Sequence, residues 1–367
     1  MKILVVPSWY PPNGGRFFRL QSESLAKLGH KVDVLILEEK GLTQKRNLKI
    51  ENVKSDLINE FRHTFYRIPK MNNLNIELFI RKYKRLLQEY LNVNKPDVIY
   101  VQSCSWAGIV VSEIAVKLKI PYVVSEQKSI FFYDEFPFSA KIEEKISLAF
   151  SQANSVVANS KMMKKALSKY ASNIVVIPNL VDVNFFRPEV KNNIDNFTFI
   201  SVGNLLPVKG YDILLKAFAE VLKHKKNISL TIIGKGKGLN SLLQLARDLE
   251  IEGFVYFKGY KTSAELVKEY NDSSAYISSS RMETFGMTII EAMSCGLPVV
   301  ATKAGGPDDI VNENNGYLAE VEDVNSLKSK MILMIENISK FDSKKIRQNV
   351  IANYSENMVI KKFETQL

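Results

Sequence analysis

Residues 278–300 read SSSRMETFGMTIIEAMSCGLPVV, and the fold is decided here. The stretch leaves a strand, passes a Gly-containing loop, enters an amphipathic helix over 286–295 and runs directly into a strand over 298–301. That is the grammar of a parallel α/β sheet. The loop and first helical turn present unpaired backbone N–H groups where the helix dipole favours an anion such as a diphosphate, with Gly286, Met287 and Thr288 as the expected donors. Glu283 lies in the loop and Glu291 within the helix, so both reach a ligand lying across the helix start. Carboxylates accept from hydroxyl groups, and two at different depths suit a molecule with hydroxyls on either side of a phosphate, a nucleotide sugar. Glu283 alone reads equally well as a charge complement to the helix N-terminus. Glu291 is flanked by Ile289, Ile290, Ala292 and Met293, and an acid there is costly unless it meets hydroxyl or amide partners.

The same alternation extends outward in both directions. Strands are expected at 197–202, 228–233, 254–257 and 275–278, with helices between them and beyond 324. The front half repeats it, with strands at 2–6, 31–37, 97–101, 121–125, 155–158 and 174–177. The pattern stops at Ile177-Pro178-Asn179, and a polar stretch follows. The expected organisation is a first Rossmann-like domain over 1–180, a linker over 181–196, a second Rossmann-like domain over 197–350, and a C-terminal helix over 351–367 packing back toward the first. Two parallel-sheet domains would face each other across a ligand cleft where the carboxyl ends of their strands meet.

The chain has 367 residues, 46% apolar and 24% charged, which fits two ordinary globular domains and excludes disordered or fibrous classes. Two cysteines and three histidines share no ligand spacing, so neither a zinc site, a disulfide framework nor a protein-held metal or other cofactor is expected. The opening MKILVVPSWYPP is too short an apolar run for a leader, and no stretch is long enough to span a bilayer; a cytoplasmic location follows as the expectation. Lys and Arg number 27 against 16 Asp and Glu in residues 1–180, and 23 against 23 thereafter. All of the net charge of +11 therefore lies in the front half, which suggests an anionic partner such as phosphates or a lipid headgroup surface. No nucleic-acid recognition motif accompanies it, so a nucleic-acid partner is not expected.

The run from Glu283 to Glu291, continued by Ala292-Met293-Ser294-Cys295-Gly296-Leu297-Pro298-Val299-Val300-Ala301-Thr302 and Gly305-Gly306, closely resembles the retaining glycosyltransferases of family 4, the group 1 enzymes of GT-B fold. Val202–Gly210, Ile177–Asp182, the Gly14-Gly15 loop and Gly29–Val32 join the resemblance, which covers nearly the whole chain. It implies transfer of a hexosyl or N-acetylhexosaminyl group from a UDP- or GDP-linked donor, with retention and without a bound metal, to a glycan or lipid-linked acceptor in polysaccharide or glycolipid synthesis. Glu291 would hold the donor ribose, Glu283 the sugar hydroxyls, and Lys209 the leaving diphosphate, with Gly14, Gly15, Asn204, Arg281, Thr284, Phe285 and the Gly286–Thr288 turn around the donor. Catalysis would rest on Glu283, Lys209 and Gln127; Trp9, Arg16, Gln102 and Lys128 would meet the acceptor. Two positions depart from the family: Asn204 stands where an Arg is usual, with Arg281 or Lys303 as possible substitutes, and Gln127 stands where many members carry a His. Gln127 can hydrogen-bond a hydroxyl but cannot shuttle a proton. The competing class is a catalytically degenerate nucleotide-sugar-binding protein.

Four other features admit two readings. Gly234-Lys-Gly-Lys-Gly238 lacks the third fingerprint glycine and the following acid, and so reads as a tight turn rather than a dinucleotide site. Helix 76–92 places Phe79, Tyr83, Leu86, Leu87 and Tyr90 on one face and a basic set elsewhere, which fits either packing on a sheet or lying peripherally on an anionic membrane. The aromatic loop Ile130–Phe138 is a candidate for contact with lipid or with the acceptor, and the pair Trp9-Tyr10 reads equally as stacking on an acceptor sugar or packing inside its own loop.

Overall fold

The structure, a computed structural model, describes residues 1–11, 15–41, 56–133, 138–189 and 196–367, and the backbone of 51–54. It divides into two compact units, Met1–Leu180 with Val359–Leu367, and Val181–Met358. The first unit contains β1 (Lys2–Pro7), α1 (Arg16–Lys27), β2 (Lys31–Gly41), β3 (Glu51–Lys54), β4 (Asn59–Arg67), α2 (Asn72–Val93) and β5 (Val98–Gln102). It continues with α3 (Ile109–Leu118), β6 (Tyr122–Glu126), α4 (Ala140–Ser151), β7 (Ser155–Ala158), α5 (Lys161–Leu167) and β8 (Ile174–Val176). The second begins with β9 (Phe197–Val202), α6 (Tyr211–Leu222), β10 (Ile228–Ile233), α7 (Leu239–Asp248), β11 (Val255–Phe257), α8 (Ser263–Asn271) and β12 (Ala275–Ser278). Then come α9 (Met287–Ser294), β13 (Val299–Thr302), α10 (Gly306–Ile310), β14 (Gly316–Ala319), α11 (Val324–Glu336) and α12 (Ser343–Tyr354), and α13 (Glu356–Glu364) belongs to the first unit from Val359 on.

The first sheet runs β3-β4-β2-β1-β5-β6-β7-β8 and is parallel apart from β3, which pairs antiparallel with β4. The second runs β11-β10-β9-β12-β13-β14 and is parallel throughout. Ile3, Leu4, Val5 and Val6 are wholly buried, because a parallel strand covered by helices must be apolar on both faces. One face of the first sheet packs against Phe18 and Leu25 of α1 and Phe363 of α13; the other packs against Tyr83 and Leu87 of α2 and Phe150 of α4. The second sheet is covered on one face by α6 and α11 and on the other by α9 and α12. Two doubly wound, Rossmann-like domains result.

The expected linker needs correction. Val181 donates its amide to the Tyr354 carbonyl at 2.9 Å, Phe186 is buried against Tyr270, and Asn271 hydrogen-bonds both the Arg187 carbonyl and the Glu189 amide. Residues 181–189 thus belong to the second unit, held by apolar contacts that their polar surroundings in sequence conceal; 190–195 lie outside the described residues. That unit also runs past 350, to Met358, so α12 packs within it. The chain's last residues return to the first unit, where Phe363 packs on Tyr100 with ring centroids 4.5 Å apart. Strand β4 was not anticipated: Glu60, Arg62 and His63 obscure any apolar pattern, and its strand character comes from nine-position pairing with β2, Asp33↔Asn59 to Gly41↔Arg67. Helix α2 begins at Asn72, a turn before the expected start at 76. Its face of Phe79, Tyr83, Leu86, Leu87 and Tyr90 is buried in the sheet core, so that face is not offered to a bilayer. No helix among the described residues is long and apolar enough to cross a membrane.

Candidate functional site

The order of the second sheet reverses between β9 and β12, whose outer neighbours are β10 and β13. Loops leaving the carboxyl ends of strands at such a reversal diverge and leave a crevice. Both motif loops emerge here, residues 203–210 after β9 and 279–286 after β12. Lys209 closes the 3₁₀ turn Pro207–Lys209, and its Nζ lies 2.5 Å from Glu283 Oε2. The lysine side chain is 27% exposed and the glutamate 17%, so the pair sits at the mouth of the crevice, open to a ligand.

The lysine loop is held firmly. Gly210 has φ 61°, and a Cβ there would lie 2.0 Å from the Ser279 carbonyl oxygen, so only glycine allows this approach. Ser279 Oγ donates to the Lys209 carbonyl at 2.9 Å, and the Arg281 amide donates to the Val208 carbonyl at 2.8 Å. The Gly234–Gly238 run packs beneath the same loop: the Leu205 amide donates to the Lys235 carbonyl, the Gly238 amide to the Leu205 carbonyl, and a Cβ on Gly234 would meet the Gly203 carbonyl oxygen at 1.8 Å. The run is a buttress for the lysine.

Glu283 is fixed through its backbone, which receives the Gly306 amide at 2.7 Å and donates to the Ala304 carbonyl at 2.9 Å. Three residues on, Gly286 caps α9 with no side chain to close the first turn. On α9, Met287, Thr288 and Glu291 are partly exposed while Ile289, Ile290, Ala292 and Met293 are buried, so Glu291 shares the open face with the helix start. The Tyr270 hydroxyl donates to Glu291 Oε2 at 3.3 Å. Burial, then the Glu291 charge, pushes the Tyr270 phenol well above its ordinary range, which keeps it a proton-bearing donor. Burial and the same carboxylate push the Cys295 thiol up to about 12. Thr288 Oγ1 and the Tyr276 hydroxyl are 2.6 Å apart.

The proposed substitutes for the absent arginine are otherwise engaged. Arg281 forms a bidentate pair with Asp212, at 2.9 and 2.8 Å, and also pairs with Glu322 and the Pro207 carbonyl. Asp212 and Glu322 together raise the guanidinium pKa, and Arg281 in turn lowers that of the Asp212 carboxyl. Arg281 therefore ties the lysine loop to α6 and to Glu322. Lys303 is paired with Glu320 at 2.5 Å. Asn204 is exposed, and Thr284 partly so. Phe285 is 3% exposed and packs edge-on to Tyr354, so its side chain belongs to the core. Among the described residues no group of three or more His, Cys, Asp or Glu side chains is gathered for a metal ion.

In the first unit the sheet reverses between β1 and β5, flanked by β2 and β6. Gly15 starts α1 with φ 73°, packed against Trp9, and Arg16 next to it is exposed; Gly14 lies outside the described residues. Trp9 packs on Phe18 at 5.0 Å and carries the Lys128 ammonium over its ring at 4.8 Å. Burial lowers the Lys128 pKa, and Nζ donates to Ser105 Oγ at 2.6 Å. Gln102 does not fit the acceptor role expected of it: it is wholly buried, and its amide donates to the Phe18 carbonyl at 2.9 Å. Gln127 is buried too; Oε1 accepts from Asn179 at 2.9 Å, and Nε2 has no partner among the described residues. Sequence reading passed over Glu126. Wholly buried, it accepts from Ser103 Oγ and from the amides of Cys104, Gln127 and Lys128 at 2.7–2.9 Å, stapling the loops after β5 and β6 together. An acid ending an apolar strand was the available signal.

The profile of the family described as Glycosyltransferase Family 4 matches residues 14–185, and that of Glycosyl transferases group 1 matches residues 182–355. An uncharacterized glycosyltransferase of Methanocaldococcus jannaschii is 26% identical over 343 residues, 92% of this chain and 89% of that protein. The poly(ribitol-phosphate) alpha-N-acetylglucosaminyltransferase of Staphylococcus aureus is 30% identical over 167 residues, 44% of this chain and 33% of that protein. Among solved structures, sucrose-phosphate synthase from Thermosynechococcus elongatus superposes with a TM-score of 0.83 at 18% identity, covering 100% of this chain and 98% of that one. With both profiles meeting end to end across two Rossmann-like domains, the chain belongs to the family 4, group 1 glycosyltransferases of GT-B fold.

Proposed function

We propose that the protein is a retaining, metal-independent glycosyltransferase that moves a hexosyl or N-acetylhexosaminyl group from a UDP- or GDP-linked donor to a glycan or lipid-linked glycan acceptor in polysaccharide or glycolipid synthesis. The observation that carries this reading is the Lys209–Glu283 contact beside the open start of α9, with Glu291 on the same face. On donor binding the diphosphate takes the place of Glu283 as the partner of Lys209 and receives the Met287 and Thr288 amides. Glu283 then turns to the sugar hydroxyls, and Glu291 with Tyr270 behind it receives the ribose. The C1–O bond breaks with its electron pair leaving on the diphosphate, the acceptor oxygen bonds to C1 on the same face, and the acceptor proton passes to the departing phosphate oxygen. The positive charge of Lys209 and the helix amides stabilises that leaving group, and Gln127 is asked only for a hydrogen bond. Retention is supported by the alpha linkage in the name of the Staphylococcus aureus relative. A charged, lipid-linked acceptor is supported by the basic excess of residues 1–180.

Calorimetric titration with UDP-, GDP- and ADP-sugars, followed by NMR assignment of the anomeric configuration in the product, tests the reading. One nucleotide class is expected to bind and to yield a product with the donor's configuration; an inverted product overturns retention, and binding without turnover on any acceptor favours the degenerate binding protein. Glu283→Gln separates the two jobs of that residue. Removing the carboxylate that competes for Lys209 is expected to tighten binding of the bare nucleoside diphosphate by about threefold to tenfold while transfer falls. Unchanged nucleotide affinity would show that the ligand-free contact is not displaced.

A further inference from the structure

A second concave site lies in the first unit, remote in sequence from every donor residue. It is a groove of about 870 Å³ bounded by the start of α2, the start of α4 and the ends of β2 and β4. Its apolar wall includes Phe79, Ile80, Ile142 and the pair Trp106–Phe138, whose rings meet edge-on at 5.0 Å. Its charged lining is Arg67, Arg81, Lys84, Lys141 and Lys145, with Glu39 and Glu77.

The charges do not cancel: five cations stand against Glu39, Glu77 and the adjacent Glu113, an excess of two. Arg67 is offset by Glu39 at 3.3 Å, while Lys84 and Lys145 share one carboxylate, that of Glu113. Burial alone would raise the Glu113 pKa; the two ammonium groups outweigh it and hold the acid below its ordinary value, so it stays ionised and still leaves one of them uncompensated. Arg81 and Lys141 are exposed and have no ion pair among the described residues. A solvated basic surface would spread such charges; here they converge on a hollow with an aromatic wall. A plain anion uses only the cations, and an uncharged sugar only the aromatic wall. An anionic head joined to an alkyl chain does, because the cations take the head and the aromatic wall removes the chain from water.

The geometry points to this groove as the binding site for a lipid phosphate, the carrier end of the acceptor, with Arg81, Lys84, Lys141 and Lys145 on the phosphate and Trp106, Phe138 and Ile142 along the chain. This rests on the transferase reading and specifies its acceptor class.

The full chain has two tryptophans, and Trp9→Phe leaves Trp106 as the sole indole reporter in the groove. Dodecyl phosphate, kept below its micellar concentration, is expected to shift Trp106 emission saturably. Arg81→Glu with Lys141→Glu, both exposed and so without risk to folding, is expected to weaken that binding by about tenfold or more. Inorganic phosphate should compete only at concentrations about a hundredfold higher, since it lacks the chain. Equal binding by the charge-reversed variant overturns the proposal. So does equal affinity for inorganic phosphate, which would mark a simple anion site. A response only to phosphatidylglycerol vesicles, lost at high salt, likewise overturns it in favour of a bilayer surface. Nucleotide titration of the same samples keeps the two readings apart: failure of dodecyl phosphate alone removes the groove proposal, and failure of every nucleotide removes the donor reading.

Discussion

Lys209→Ala is expected to lower kcat by about a thousandfold, some 4 kcal/mol of transition-state stabilisation, with a much smaller change in donor KM. The leaving diphosphate gains charge as C1–O breaks, so a cation beside it is worth more at the transition state than in the bound donor. On the proposed reading the usual second cation is absent from this loop, where Asn204 stands; Arg281 is engaged by Asp212 and Glu322, and Lys303 forms only an exposed pair with Glu320. On that reading Lys209 would carry the task without a second cation on its loop. Its removal leaves Glu283 at a partly exposed mouth, where water solvates it, so the melting temperature should move by only a few degrees. Lys209→Arg keeps the charge but replaces the compact ammonium with a broad planar guanidinium, and a partial loss is expected. Steady-state kinetics with circular dichroism melts checks all three. An alanine variant with near-normal kcat would remove Lys209 from the chemistry.

Glu291→Ala is expected to act on the other constant. Losing a charge-assisted bond to a ribose hydroxyl costs about 1.5–3 kcal/mol, so donor KM should rise about tenfold to a hundredfold while kcat changes little. The alternative role for Glu291 is to satisfy Tyr270, whose phenol is buried at 3.3 Å from it. That role gives a different signature: a lowered melting temperature with donor KM unchanged. Glu291→Gln, which still accepts from Tyr270, should keep the melting temperature and recover part of the affinity. Donor kinetics measured beside thermal melts decides between the two.

Much of the second domain was legible because its information is local. The strand–loop–helix–strand run of 275–302 states its own fold through apolar runs and Gly286, and the side of α9 that bears Glu291 follows from helical periodicity. The split of charge between the halves was also plain in composition. Positions whose role depends on a distant neighbour were not. Arg281 reads as a candidate cation until Asp212 and Glu322 are seen against it, and Gln102 as a polar contact until its amide is found on the Phe18 carbonyl. Val181–Glu189 reads as linker until Tyr354 and Asn271 take up its backbone.

By itself the sequence determined two α/β domains, the parallel run of their strands, the anion-friendly start of α9 and the acids beside it, because periodicity, glycine placement and helix termini act over a few residues. Tertiary structure alone decided that Lys209 and Glu283 meet, that β4 joins β2, and that cations from α2 and α4 surround an aromatic hollow. Those outcomes depend on strand order and register, which are settled by the packing of whole faces against one another and leave no signature in any short window of the chain.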